Sequence, residues 1–89
     1  MLLSVLTEFI GTFIFLSVIL ITGDALSIGL TLAAVIYFGS KVSGGNYNPA
    51  VSYMMLLNNK LSLQKFIMYV LAQLVGGTCA LVYFKNIKK

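Results

Sequence analysis

One polar stretch decides the fold of this chain: Ser43-Gly44-Gly45-Asn46-Tyr47-Asn48-Pro49-Ala50-Val51. It lies between apolar segments of membrane-spanning character and leads into a short apolar segment that ends near Leu57. Asn48 suits a helix N-cap because its side chain can accept a hydrogen bond from a first-turn amide. Pro49 is favoured at the first helical position, where an N–H would have no partner. The stretch therefore predicts that a helix begins at Asn48-Pro49.

The predicted helix, residues 48–57, is too short to cross a membrane. Ten residues rise roughly 15 Å, about half of a hydrocarbon core of about 30 Å. Non-helical backbone at membrane depth is tolerated only inside protein or beside a water-filled cavity. The loop and half-helix therefore indicate a pore or binding site, with the positive end of the half-helix near the bilayer midplane. The alternative is an ordinary capped helix after a surface turn.

Composition identifies a membrane protein. The 89 residues are 60% hydrophobic, with a mean hydropathy of +1.00, far above a soluble domain. We expect a multi-pass integral membrane protein of one domain, in contact with the lipid bilayer. The net charge of +4 comes from lysines near the segment ends, which fits lipid headgroups. No basic patch interleaves with aromatic residues, so no nucleic-acid partner is expected.

The apolar runs predict an all-α integral membrane fold: three transmembrane helices and one re-entrant half-helix. The first run carries Glu8 and has no basic residue at its start, which favours a retained helix over a signal peptide. Gly23-Asp24 predicts a tight turn, and Ser62 is a candidate N-cap. The predicted helices are 2–22, 25–41, 48–57 and 63–84.

Small residues recur at four-residue spacing in two segments. Ala72, Gly76 and Ala80 form one stripe, and Gly29 with Ala33 forms another. Such stripes let membrane helices approach closely. They predict a compact helical bundle.

Glu8 is the only carboxylate within a predicted span, and Gln73 is the matching polar residue in the last helix. A charge at that depth is costly, so we expect Glu8 to face the bundle interior and find partners. It could accept hydrogen bonds from backbone amides of the 43–48 loop and orient the loop carbonyls toward a pore. A proton relay and a Glu side chain that reaches the membrane surface are the alternatives.

Three stretches resemble the aquaporin, or major intrinsic protein, family. Residues 43–51 look like its first signature, serine-glycine followed by Asn-Pro-Ala-Val. Glu8-Phe9-Ile10-Gly11-Thr12-Phe13 looks like the family's first helix, and Ala72-Gln73-Leu74-Val75-Gly76-Gly77 looks like its third. The three stretches occur in the family's order and span essentially the whole chain.

The resemblance implies a role for each matching residue. Asn48 would donate hydrogen bonds from its side-chain amide to water or a hydroxylated solute, and Pro49 and Ala50 would start the half-helix. Glu8 and Gln73 would support the loop. Counting back from the motif without gaps places Ile28 at the selectivity constriction, where many water-selective members carry an aromatic residue. The acceptor ladder for single-file permeation would consist of the carbonyls of Gly44, Gly45, Asn46 and Tyr47.

The chain departs from the family pattern because it matches only the first of two inverted repeats. It has no second Asn-Pro-Ala and no Arg, and one repeat cannot enclose a pore. The pore could be completed by a second copy inserted in the opposite orientation, or by a separately encoded second half. The lysines permit dual topology, since the family topology puts three on each side: Lys41, Lys60 and Lys65 against Lys85, Lys88 and Lys89.

We therefore expect a channel subunit that passes water or a small neutral, glycerol-like solute through an Asn-Pro-Ala pore. The alternatives are a small membrane interaction protein that does not conduct, and a truncated remnant of an aquaporin. No nucleophile–base pair, metal cluster or phosphate loop is evident, so neither enzymatic activity nor a cofactor is expected. Cys79 stands alone within an apolar segment and is expected to serve packing.

Overall fold

The computed structural model describes residues 1–88; Lys89, counted in the basic tail above, lies outside them. The described chain forms four α-helices and no strand, which confirms the predicted all-α class. Three of the helices are long and apolar enough to cross a membrane. In chain order the helices are α1 (Leu2–Thr22), α2 (Ala25–Ser43), α3 (Pro49–Leu57) and α4 (Leu63–Ile87).

Two helices run further than the sequence pattern indicated. Helix α2 continues past Lys41 to Ser43 and ends at Gly44, whose φ of 93° lies in the left-handed region that glycine adopts without strain. Helix α4 continues past Phe84 to Ile87. There the side chain of Asn86 donates to the Val82 carbonyl one turn earlier, so the polar tail still supports helical backbone.

The short turn between α1 and α2 works because two caps adjoin. Gly23 ends α1 at a φ of 62°, and its amide donates to the Ile19 carbonyl at 3.2 Å. Asp24 follows as the N-cap of α2, and its carboxylate accepts from the Ser27 amide at 2.9 Å. No residue separates the two caps, so the chain reverses within the fewest possible positions.

Helix α1 lies at the centre of the bundle and packs against α2 and α4, while α3 packs against α4. The predicted stripe on α4 forms the seam with α1: Ala72 and Ala80 are buried, and a Cβ placed on Gly76 would lie 2.9 Å from the Phe9 carbonyl oxygen. The other predicted stripe is wrong as a contact within the chain. Gly29 and Ala33 are both exposed, because α2 turns its Gly39 and Ser43 inward instead.

Polarity is arranged inside out compared with a soluble domain. Buried side chains are mostly polar, whereas 27 large hydrophobic residues are exposed on the outside. Lipid is as apolar as these side chains, and it offers no hydrogen bonds to polar groups, so the polar groups face inward. The described chain is 42 Å long, which matches a bilayer of about 40–45 Å with its headgroups.

Candidate pore loop and half-helix

The segment between α2 and α3 reverses direction through three residues with positive φ. Gly44 and Gly45 have φ values of 93° and 63°, and Tyr47 follows with 56°. The reversal brings the chain back into the bundle, where α3 begins. Pro49 is the first residue of α3 and Asn48 is its N-cap, with the Asn48 Oδ1 accepting from the Ala50 amide at 2.8 Å.

The carboxylate of Glu8 holds this loop from inside the bundle, and Glu8 is fully buried. Its Oε2 accepts from the Ser43 hydroxyl at 2.7 Å and the Asn46 amide at 3.0 Å. Its Oε1 accepts from the Tyr47 amide at 2.7 Å and from Nε2 of Gln73 at 3.0 Å. Four hydrogen bonds to a charged acceptor replace its hydration, which explains how a carboxylate is accommodated at this depth.

Ser52 forms a second connection point, which sequence reasoning missed. Its hydroxyl oxygen accepts from Nδ2 of Asn46 at 2.9 Å and from Nε2 of Gln73 at 2.8 Å, and the residue is fully buried. It thereby ties α3 to the loop and to α4. A signal was present: Ser52 is a hydroxyl residue in the middle of an apolar half-helix, and polar groups in membrane segments generally face partners.

Tyr69 was also missed. Its hydroxyl donates to the Ser43 carbonyl at 2.7 Å, and its side chain is almost fully buried. Ser43 is the last residue of α2, so this bond satisfies a carbonyl that the helix end leaves without a partner. In sequence, one of the four aromatic residues of α4 gives no sign of this contact.

Asn48, Pro49 and Ala50 are all exposed at the start of the half-helix. Asn48 uses its side-chain oxygen for the cap, and its Nδ2 makes no hydrogen bond within residues 1–88. Asn48 and Pro49 lie beside an open groove of about 430 Å³ between α1 and α4, which Thr12, Gln73 and Gly77 also line. The half-helix therefore presents a free amide donor at its positive end, on the surface of a groove.

The sequence-predicted loop residues and Ile28 differ in how far they are exposed. Gly44 is exposed and Gly45 half-buried, whereas Asn46 and Tyr47 are buried within the bundle. Ile28 lies in the first turn of α2 and is half-buried. Since a helix rises about 1.5 Å per residue, Ile28 is about 22 Å along the axis from Ser43, the last residue of α2.

Two buried oxygens near the groove have no partner among the described residues: Oγ1 of Thr12 and Oε1 of Gln73. The hydroxyls of the other four threonines each donate to a carbonyl of their own helix; Thr78, for example, donates to the Leu74 carbonyl at 2.9 Å. For metal binding, residues 1–88 hold no cluster of three or more His, Cys, Asp or Glu side chains.

Comparison with known proteins agrees with this geometry. The model of the major intrinsic protein family matches residues 1–89. The chain is 38% identical over 90 residues to "Glycerol uptake facilitator protein-like 6" of Lactiplantibacillus plantarum, covering 91% of this chain and 42% of that protein. It is 35% identical over 91 residues to "Aquaporin PIP1-6" of Zea mays, covering 83% of this chain and 31% of that protein.

A third relative is "Aquaporin PIP1-2" of Musa acuminata, 30% identical over 101 residues, with 94% of this chain and 39% of that protein covered. The chain thus spans less than half the length of these relatives. The family match over the whole chain agrees with the three spanning helices and the re-entrant half-helix. The chain is a multi-pass integral membrane protein with an aquaporin-like fold, and it belongs to the major intrinsic protein family.

Proposed function

We propose that the chain forms one half of a channel for the passive passage of water or small neutral solutes. The observation that carries this proposal is the free Nδ2 of Asn48 at the exposed N-terminus of the half-helix. Family membership supports a channel rather than an enzyme. The names of the relatives, which refer to aquaporins and to glycerol uptake, support water or a small polyol as the solute class.

In the proposed mechanism, Asn48 donates a hydrogen bond to the oxygen of the passing molecule. Carbonyls of the loop accept hydrogen bonds in turn, so the solute exchanges its hydration for protein contacts step by step. The candidates for this acceptor row are Gly44, Gly45, Asn46 and Tyr47. The positive end of α3 opposes cations, because its free amides face the solute. Ile28 is proposed as an apolar side of the constriction.

The loop must hold its shape for such a row of acceptors to act. The four hydrogen bonds to Glu8 and the two to Ser52 supply that rigidity. Backbone held by a buried carboxylate keeps its carbonyls in fixed directions, and preorganised polar groups bind solutes without an ordering cost. Glu8 and Gln73 are therefore proposed as loop supports.

A second half must close the pore, since the exposed Asn48 faces an open groove. We propose either an antiparallel second copy or a separately encoded half. Inverted repeats related by an axis in the membrane plane are a known way to build such proteins. Lys41, Lys60 and Lys65 flank one end of the bundle, and Lys85 and Lys88 follow at the end of α4. This distribution gives the positive-inside rule little preference, which allows both orientations.

Osmotic permeability of reconstituted vesicles tests the proposal. Purified chain is placed in liposomes, and shrinkage after an osmotic step is followed by light scattering. We expect fast shrinkage for an antiparallel pair of copies, with a large loss for Asn48→Asp, which replaces the donor by a carboxylate. Asn59→Asp is the matched control, because Asn59 lies in the exposed turn beyond α3.

Permeability equal to bare lipid would exclude a pore made by this chain alone and leave a separately encoded half to be sought by co-purification. Wild-type permeability in Asn48→Asp would contradict the role of Asn48. A small membrane interaction protein, or a remnant without transport, predicts no permeability and no dependence on residue 48.

A further inference from the structure

The side chain of Tyr47 occupies the seam between α1 and α2. Only 3% of the residue is exposed. Its hydroxyl donates to the Val35 carbonyl at 2.7 Å, in the interior of α2. The carbonyl ladder proposed above uses only the backbone of this residue, so the buried ring and its hydrogen bond require a separate explanation.

Two glycines make room for the ring. A Cβ built on Gly11 of α1 would lie 2.7 Å from ring atoms Cδ1 and Cζ of Tyr47. A Cβ built on Gly39 of α2 would collide with the Tyr47 hydroxyl oxygen and lie 3.2 Å from Cζ. Any other residue at either position would overlap the tyrosine. We call this space the two-glycine slot, formed by Gly11 and Gly39.

The backbone of Tyr47 is fixed as tightly as its side chain. Its amide donates to Oε1 of Glu8 at 2.7 Å. Its φ of 56° lies in the left-handed region, which is unfavourable for a residue with a Cβ and persists only where the surroundings enforce it. One residue is thus held by α1 through its amide and by α2 through its hydroxyl, directly before Asn48.

Tyr47 also borders two open grooves. Tyr47 lines the groove beside Asn48, and it lines a larger groove of about 550 Å³ between α1 and α2. The second groove is mainly apolar, with Ile10, Leu30 and Phe38 among its walls.

We propose that Tyr47 is a positioning residue: its side chain fits into the two-glycine slot and fixes the loop, and with it the place of Asn48. The two-glycine slot leaves room for the ring of Tyr47, and the hydrogen bond from its hydroxyl to the Val35 carbonyl fixes the orientation of the ring. The effect of Tyr47 on permeation rests on the proposed channel function. Its effect on the loop is a property of the folded chain and can be measured without transport.

Amide hydrogen exchange tests the proposal on the full chain in detergent micelles, followed by NMR. Tyr47→Phe keeps the ring and removes the hydrogen bond. We expect exchange at the amides of residues 46 and 47 to rise by about three- to tenfold, the size of effect that one hydrogen bond typically has. Amides at the seam between α1 and α4, such as that of Gly76, should keep their wild-type rates.

Size-complementary pairs separate positioning from general packing. Gly39→Ala should increase exchange at residues 46 and 47 more than Tyr47→Phe does, because the new methyl meets the hydroxyl oxygen. Gly39→Ala combined with Tyr47→Phe should recover part of the loss, since the hydroxyl oxygen is gone while Cγ2 of Thr7, 3.0 Å from the added Cβ, stays. Gly11→Ala combined with Tyr47→Phe should show no recovery, because there the conflict is with ring carbons that phenylalanine retains.

Three results would overturn the proposal. The first is a wild-type exchange rate at residues 46 and 47 in Tyr47→Phe. The second is a uniform rise in amide exchange across all helices, and the third is no recovery when Gly39→Ala is combined with Tyr47→Phe. Any of them would make Tyr47 an ordinary packing residue. Failure of the channel function would appear differently, as wild-type vesicles without permeability while the exchange pattern stays as expected. In vesicles that conduct, Tyr47→Phe should have a lower permeability than the wild type. Gly39→Ala combined with Tyr47→Phe should have a higher permeability than Gly39→Ala alone.

Discussion

Oε1 of Glu8 lies 2.7 Å from the backbone amide of Tyr47, which is 39 residues further along the chain. This contact links the first helix to the loop that precedes the half-helix. The loop has no regular backbone pairing of its own, so its shape depends on a carboxylate supplied by another element. All four hydrogen bonds to the Glu8 carboxylate are buried. In a low-dielectric interior such bonds are strong when made and costly when broken.

Glu8→Gln should destabilise the fold by about 2–6 kcal/mol. Each carboxylate oxygen accepts from two donors, so two buried donors lose their acceptor, at about 1–3 kcal/mol each. The change keeps the shape but replaces one oxygen by an amino group, which then faces donors such as the amides of Asn46 or Tyr47. Denaturant unfolding of the detergent-solubilised chain measures the loss. Wild-type stability in Glu8→Gln would mean that the carboxylate does not hold the loop.

Thr12→Val should leave stability unchanged or raise it by about 1 kcal/mol, since a buried hydroxyl without a partner costs roughly that much. Oγ1 of Thr12 has no hydrogen bond within the described residues, whereas Oγ1 of Thr78 bonds to the Leu74 carbonyl. Thr78→Val is the matched control, with the same change on the same groove. A larger loss in Thr12→Val than in Thr78→Val, measured by unfolding, would show that the Thr12 hydroxyl is in use.

Gly76→Ala and Gly29→Ala should change stability in opposite directions. A Cβ at Gly76 would lie 2.9 Å from the Phe9 carbonyl oxygen and 3.3 Å from the Phe13 amide nitrogen, which are backbone atoms that cannot move aside. We expect a cost of about 1–3 kcal/mol from overpacking. Gly29 has open space around it, so alanine should gain about 0.5–1 kcal/mol from helix propensity. Equal effects in unfolding experiments would contradict the α1–α4 seam.

The N-cap of α2 should weaken in acid. Hydrogen bonds from the backbone amide and then the hydroxyl of Ser27 lower the pKa of Asp24 from its ordinary value of 3.8. A carboxylate with a lowered pKa contributes stability above the unfolded-state pKa and loses it as the pH falls through the folded-state pKa. Unfolding midpoints from about pH 6 to about pH 2.5 should fall more steeply in the wild type than in Asp24→Asn, whose cap does not titrate. The same dependence of the unfolding midpoint on pH in both proteins would contradict the role of the Asp24 carboxylate as the N-cap of α2.

Local chemistry was readable from the sequence alone. Asn48-Pro49 marks a helix start in any context, because the cap bond forms between neighbours in the chain. Apolar runs of sufficient length predict spanning helices, and the first run, 2–22, coincides with α1, Leu2–Thr22. The family was recognisable because its motifs combine residue types that bilayer depth otherwise excludes. Helix ends were less predictable: α2 runs two residues beyond 41, to Ser43, and α4 three residues beyond 84, to Ile87.

Only the tertiary structure decided which side chains meet. The sequence directed Glu8 to the amides of the 43–48 loop and named Gln73 as a matching polar residue. Folding selected the amides of Asn46 and Tyr47 among them and added the Ser43 hydroxyl. It also exposed Gly29 and Ala33, although their spacing is that of a packing stripe, and it placed the ring of Tyr47 between two glycines 28 residues apart. Sequence spacing fixes neighbours within one helix, whereas contacts between helices depend on how each one is rotated and how closely it packs. The sequence therefore determined the helices and their membrane character. The packing of α1 against α2 and α4 determined the conformation of the 43–48 loop and which side chains hold it.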